Sequence, residues 1–170
     1  HLKDKVALVT GAGSQIGYGR AEAVMLAEEG CHIIAADINL DGAKQTASQV
    51  EALGRQALAV KVDVTKQAEV DAMVEAAIKK FGRIDILVNN AGSSSALRPF
   101  IEMTEEDWNY DIGVNLYGQM RVARAVLPHM IARKYGRIIN TSGGQGVPNI
   151  SIYGAAKAGV VMFTQALARE

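Results

Sequence analysis

A chain of 170 residues that is 49% hydrophobic and 21% charged, with 18 basic and 18 acidic side chains, has the makeup of one globular domain with a sizeable core. Its zero net charge offers no attraction to nucleic acid or a membrane surface, and no apolar run approaches the roughly 18 residues of a membrane span, so neither partner is expected. Cys31 is the only cysteine, which rules out an internal disulfide, and His1, His32 and His129 lie far apart with no carboxylate pattern, so no metal site is expected.

The opening HLKDKVALVTG enters a strand at once, without a signal peptide's apolar region, and with a lone cysteine the expected location is the cytoplasm. VALVT (6–10) is the first predicted strand, followed by a glycine-rich turn and the helical pattern AEAVMLAEEG (21–30). CHIIAAD (31–37) is the second strand, and an amphipathic helix over 41–53 stops before Gly54. QALAVKVDV (56–64) is the third, and 67–81 repeats apolar residues at Val70, Met73, Val74, Ala77 and Ile78 in helical spacing. RIDILVNN (83–90) is the fourth. A small-residue loop leads to one long helical region from about 105 to 134, then the strand GRIINTS (136–142) and a last helix from about 152 onward.

Continuous apolar strands separated by helices signify βαβ units, and right-handed crossovers leave a doubly wound, Rossmann-like parallel sheet with helices on both faces. With no linker or repeat, residues 1–170 read as one domain; the chain stops at ALARE with no following strand, as an interrupted protein would.

TGAGSQIGYGRA (10–21) links the first strand to its helix, and glycines there let backbone approach a pyrophosphate favoured by the helix N-terminus. Gly11, Gly13 and Gly17 depart from the strict dinucleotide fingerprint, and such turns also arise for structural reasons alone. Asp37 closes the second strand where an acid accepts hydrogen bonds from a ribose. It would repel the extra 2′-phosphate of NADP, and 38–42 holds no lysine or arginine to neutralise one, so NAD is the expected cofactor. Asp63 ends the third strand, facing the ligand crevice or capping the next helix; Asn89 and Asn90 end the fourth, at the crevice or organising a turn.

Tyr153 and Lys157 share a helix face at a spacing of four. A phenol titrates near pH 10, and an ammonium beside it stabilises the phenolate, which makes the pair a coherent acid/base device for an alcohol proton. Ser142 at the fifth strand end and Ser151 before the tyrosine are candidate helpers, Ser151 reading better as a helix cap.

In order along essentially the whole chain, the TG…G-x-G turn, Asp63, NNAG (89–92), the asparagine of GVNLYG, Ser142 and YGAAK resemble the short-chain dehydrogenase/reductase family, single-domain type. The resemblance implies that Tyr153 is the catalytic acid/base and Lys157 its partner, the lysine also holding the nicotinamide ribose. Asn115 matches an asparagine whose helix is kinked to hold a relay water; otherwise it is a mid-helix residue facing solvent. Gly11, Ser14, Gln15, Ile16 and Gly17 match the cofactor turn, Asp37 the NAD-selecting acid, Asp63 and Val64 the adenine side, and Asn90, Ala91 and Gly92 the stretch lining the cofactor.

Two departures stand out. Five residues separate Gly11 from Gly17, so either the turn has two extra residues or Gln15 replaces the middle glycine. After the fifth strand, Gly143 takes the slot of the family's second serine, which leaves Ser142 as the candidate, 11 residues before Tyr153. The family normally continues past this point with further strands and a loop over the substrate. The expected function is interconversion of a secondary alcohol and a ketone with NAD(H); the alternative is a nucleotide-binding relative, sensor or scaffold, without turnover. Ser93 to Leu97, Gln145 and Asn149 are expected around a small-molecule substrate. A homo-dimer or homo-tetramer is expected through the two long helices, where Val122, Val126, Val161 and Phe163 are either interface or ordinary core.

Overall fold

A computed structural model describes residues 2–95, 97–144 and 146–170. Five parallel strands, β1 (Val6–Thr10), β2 (His32–Asp37), β3 (Ala57–Lys61), β4 (Ile86–Asn89) and β5 (Arg137–Asn140), form one sheet in the order β3-β2-β1-β4-β5. Around them pack α1 (Tyr18–Glu28), α2 (Leu40–Ala52), α3 (Gln67–Phe81), α4 (Glu105–Ile112), α5 (Gly118–Ala132) and α6 (Ser151–Leu167). This is the doubly wound Rossmann-like architecture that the strand–helix alternation predicts.

Successive strand residues point to opposite faces, and both faces of the central strands β1, β2 and β4 are dry. Val6, Leu8, Ile34 and Ala36 join Val70 and Met73 of α3 and Val122 and Val126 of α5 in one core. Ala7, Val9, Ile33 and Ala35 join Ala23 and Ala27 of α1 and Ala43 and Val50 of α2 in the other. Val122 and Val126 are thus core, and Phe163 of α6, half-buried, packs against the same cluster.

From β1 the chain winds outward through β2 and β3, then returns to the other side of β1 as β4. That reversal opens a crevice beyond the carboxyl ends of β1 and β4, where open α/β sheets take their ligands. No described helix is long and apolar enough to cross a membrane.

Candidate active site

A cavity of about 510 Å³ occupies the crevice, lined among others by Gly11, Asp37, Asp63, Val64, Gly92 and Tyr110. Its volume is that of a small-ligand or cofactor site. Gly11 turns the chain at φ +71°, a left-handed conformation that favours glycine. Gly17 caps α1, and a Cβ on Gly19 would lie 2.4 Å from the Gly11 carbonyl oxygen, so only glycine lets this helix start close against the turn. Gly17 and Gly19 therefore occupy the helix entry, and counted from Thr10-Gly11 the turn has the family length, with Gln15 in the place of the middle glycine. Ser14 and Ile16 point outward, whereas Gln15 turns its amide to α2, donating from Nε2 to Gly42 O at 3.1 Å.

Asp37 faces this turn. Its Oδ2 accepts from Gly13 N at 2.7 Å and its Oδ1 from Asn39 N at 2.8 Å. Asp63 is not a helix cap: α3 is capped at Lys66, and Asp63 Oδ1 instead accepts from Thr65 N (2.9 Å) and Thr65 Oγ1 (2.7 Å). Partial burial opposes its charge, but those bonds and the Lys66 ammonium prevail and hold its carboxyl below the ordinary range. Asn90 Nδ2 donates to Thr10 O (3.0 Å) and Gly11 O (3.3 Å), tying the end of β4 to the glycine turn; Ala91 and Gly92 then run along the cavity wall.

The long predicted helix is two helices joined by a π-helical segment, Gly113–Tyr117. Such wide turns redirect side chains at functional sites. Asn115 sits in it, wholly buried, with Nδ2 donating to Ser93 O (2.6 Å) and Asp111 O (2.8 Å) and Oδ1 accepting from Ser93 N (3.2 Å). A solvent-facing asparagine is thereby excluded. A Cβ on Gly92 would fall 2.8 Å from Asn115 Oδ1 and 3.2 Å from Lys157 Nζ, so both groups converge on the backbone at the cavity's inner end.

Lys157 is 2% exposed, and its Nζ donates to Thr141 O at 2.9 Å and lies 5.6 Å from the Tyr153 ring centroid. Burial pushes its pKa down. Ser142 stands exposed at the end of β5, its Oγ donating to Lys157 O at 2.8 Å. Gly144, at φ +73°, lies under the tyrosine ring: a Cβ there would be 2.8 Å from Tyr153 Cε1.

A family model described as short chain dehydrogenase matches residues 5–170. The chain belongs to the short chain dehydrogenase family. It is 41% identical, over 99% of its length and 68% of the relative's, to a (2S)-[(R)-hydroxy(phenyl)methyl]succinyl-CoA dehydrogenase subunit of Thauera aromatica. A 3-oxoacyl-[acyl-carrier-protein] reductase of Thermotoga maritima is 39% identical over 99% of this chain and 69% of its own. The crystal structure of an NAD+-bound xylitol dehydrogenase superposes with a TM-score of 0.93 at 36% identity, covering 98% of this chain and 65% of that one. The chain thus spans about two thirds of the length of its relatives.

Within this short chain dehydrogenase, sequence reasoning missed the residues that steer the lysine. Thr141 O, which receives the ammonium, also accepts from Gln119 Nε2 at 3.0 Å, and Asn89 Nδ2 reaches Gln119 O (3.2 Å) and Asn140 Oδ1 (2.9 Å). Gln119 is 2% exposed in an otherwise apolar helix stripe, and that lone polar residue was the available signal. Ser151 does not cap α6: the cap position is Ile150, with no side-chain bond, and Ser151 Oγ instead meets Met103 Sδ at 3.8 Å. Of the expected substrate-side residues, Ser93 lines the main cavity, Ser94 and Ser95 line a second of about 280 Å³, Leu97 is exposed, and Asn149 sits at φ +66°. Ala96 and Gln145 lie outside the described residues.

Proposed function

We propose that this chain carries the cofactor site and proton-transfer residues of an oxidoreductase that interconverts a secondary alcohol and a ketone with NAD(H). One observation carries the reading. Lys157 is a buried ammonium with no ion-pair carboxylate among the described residues, held beside the Tyr153 ring and against Gly92 in the wall of a cofactor-sized cavity. A charge so placed costs stability, which a structural lysine would have no reason to bear.

The cavity suits a dinucleotide. Gly11 and Gly92 bring bare backbone to its wall, Gly17 and the start of α1 offer amides to a pyrophosphate, and Asp37 offers carboxylate oxygens to the adenosine ribose. Asp63 and Val64 line the adenine side, and Asn90 to Gly92 the middle. NAD is favoured over NADP because Asp37 has no cation in 38–42 to offset it. When bound, NAD(H) supplies the hydride acceptor or donor. Tyr153 Oη takes the alcohol proton, or returns it to the ketone oxygen; Lys157 holds positive charge beside the phenol, and Asn115 fixes the Ser93 backbone where a relay would pass. Ser142 stands at the crevice mouth to polarise the substrate oxygen, its proton now turned to Lys157 O.

Tyr153→Phe, made in the full-length protein, tests the assignment. NADH affinity by fluorescence titration should stay near wild type while turnover falls about 10²–10⁴-fold. Wild-type turnover in that variant would overturn it. The serine geometry favours one other reading, a nucleotide-binding relative without catalysis; tight NADH binding with no oxidation across polyols, cyclic alcohols and 3-hydroxyacyl thioesters would select it.

A further inference from the structure

Gln15 stands where the glycine turn of the family has its middle glycine, and its side chain is fastened down. Thr46 of α2, wholly buried, donates from Oγ1 to Ala12 O at 2.6 Å. Gln15 Nε2 reaches Gly42 O (3.1 Å), Gly13 O (3.3 Å) and Thr46 Oγ1 (3.4 Å), while its Oε1 accepts from Gln49 Nε2 at 3.3 Å. Three residues of α2 thus grip the turn through one glutamine.

The grip has a consequence at Asp37. Gly13 is buried between the acid and α2: a Cβ on Gly13 would lie 2.6 Å from Asp37 Cγ, and one on Gly42 would lie 1.9 Å from Gly13 O. Both Asp37 oxygens already accept a backbone N–H, one of them from Gly13 itself. A ribose 2′-phosphate at this end of the cavity would need room beside the carboxylate as well as a cation, and packed backbone closes the side of the carboxylate that faces Gly13 and Asn39. Charge repulsion and steric exclusion therefore act together, and the second depends on the turn staying against α2.

We propose that Gln15, with Thr46 and Gln49, is a specificity-determining latch that folds the glycine turn onto α2, seats Gly13 against Asp37, and so excludes NADP(H) from the adenosine end of the site. The proposal rests on the nucleotide-binding reading above. It assigns Gln15 a role through the turn rather than through contact with the cofactor.

Fluorescence titrations of the full-length protein with NADH and NADPH test it, on wild type, Gln15→Ala, Gln49→Ala, Asp37→Ser and the Gln15→Ala/Asp37→Ser double variant. Gln15→Ala should lower the ratio of NADPH Kd to NADH Kd at least about threefold, Gln49→Ala should move it the same way by less, and the double variant should lower it by more than the product of the single effects, because the two residues act on one pocket. An unchanged ratio, with both nucleotides weakened equally, would overturn the latch as a specificity device and leave it a turn stabiliser. A purely multiplicative double variant would overturn the coupling to Asp37. If Gln15→Ala does not fold, Gln49→Ala, cut on the far side of the same contact, decides alone. A wild type that binds neither nucleotide would sink the nucleotide-binding reading as well, whereas binding with an unmoved ratio would sink only the latch.

Discussion

A lysine ammonium withdrawn from water with no carboxylate beside it weakens the fold that holds it, and Lys157 is such a group. Its acceptor among the described residues, Thr141 O, keeps a second donor in Gln119 Nε2. Replacing Lys157 by methionine would leave that carbonyl satisfied and fill the space with apolar atoms. Lys157→Met should therefore be more stable than wild type at pH 7, by about 1–3 kcal/mol, while losing turnover. The pH dependence has a fixed sign. Burial lowers the folded-state pKa, so between that value and the ordinary lysine value the unfolded chain binds more protons, and wild-type stability rises with pH. The advantage of the methionine variant should be largest at neutral pH and shrink toward pH 10, as read by urea denaturation. A variant less stable than wild type at pH 7 would show that the ammonium is structurally required.

At the scale of elements, strands were the most legible features because each holds a short apolar stretch, continuous in VALVT and IIAA, bounded by polar or glycine residues. Val6–Thr10 matches VALVT end to end, and Gln67–Phe81 matches the helix read from Val70, Met73, Val74, Ala77 and Ile78. β3 is shorter than the predicted strand 56–64, since ladder pairing stops before Val62 and Val64, which are buried without belonging to it. The π-helical segment was invisible because inserting one residue into a helix leaves apolar residues on both sides in helical spacing. What marks it is a backbone bond five residues long, Gly118 N to Gly113 O, braced by Asn115 Nδ2 on Asp111 O, and composition reveals neither. The site was legible as residue types, through YGAAK, NNAG and Asp37; the turn's docking on α2 and the direction of the Ser142 hydroxyl were not, being products of packing. Asn115→Ala would remove three hydrogen bonds and leave the Ser93 and Asp111 carbonyls short of a donor in a buried place. It should lower stability by about 2–4 kcal/mol and speed amide exchange at Ser93. A loss under about 0.5 kcal/mol would show that the π segment stands without its side-chain brace.

Across the whole molecule, the two ends of the sheet divide the work. The carboxyl ends of the strands carry the cavity, the glycine turn and the buried lysine. At the amino ends Asp85, wholly buried, accepts from Val6 N (2.9 Å), Arg83 Nε (2.7 Å), Arg83 Nη2 (2.8 Å) and Arg133 Nη1 (3.1 Å), while its own carbonyl accepts from Arg137 N (3.0 Å). One aspartate thus pins the starts of β1 and β5 and the end of α5 to β4. Burial opposes its charge, yet the bonds from Arg83, Val6 and Arg133 outweigh it and keep the carboxyl below the ordinary range. A folded-state pKa depressed in this way contributes stability that is complete above the unfolded value near 3.9 and is lost as pH falls through the folded value. Asp85→Asn keeps the shape but leaves two guanidinium groups without their anion, and should cost about 3–5 kcal/mol at pH 7. The gap between wild type and variant should stay level from pH 7 to 5 and close below pH 4. NADH affinity of the folded variant should match wild type, because the substitution lies at the opposite edge of the sheet from the crevice. A weakened NADH affinity would mean that the two edges are mechanically coupled through β1 and β4; an unchanged stability would mean that the arginines hold the strand starts without the acid.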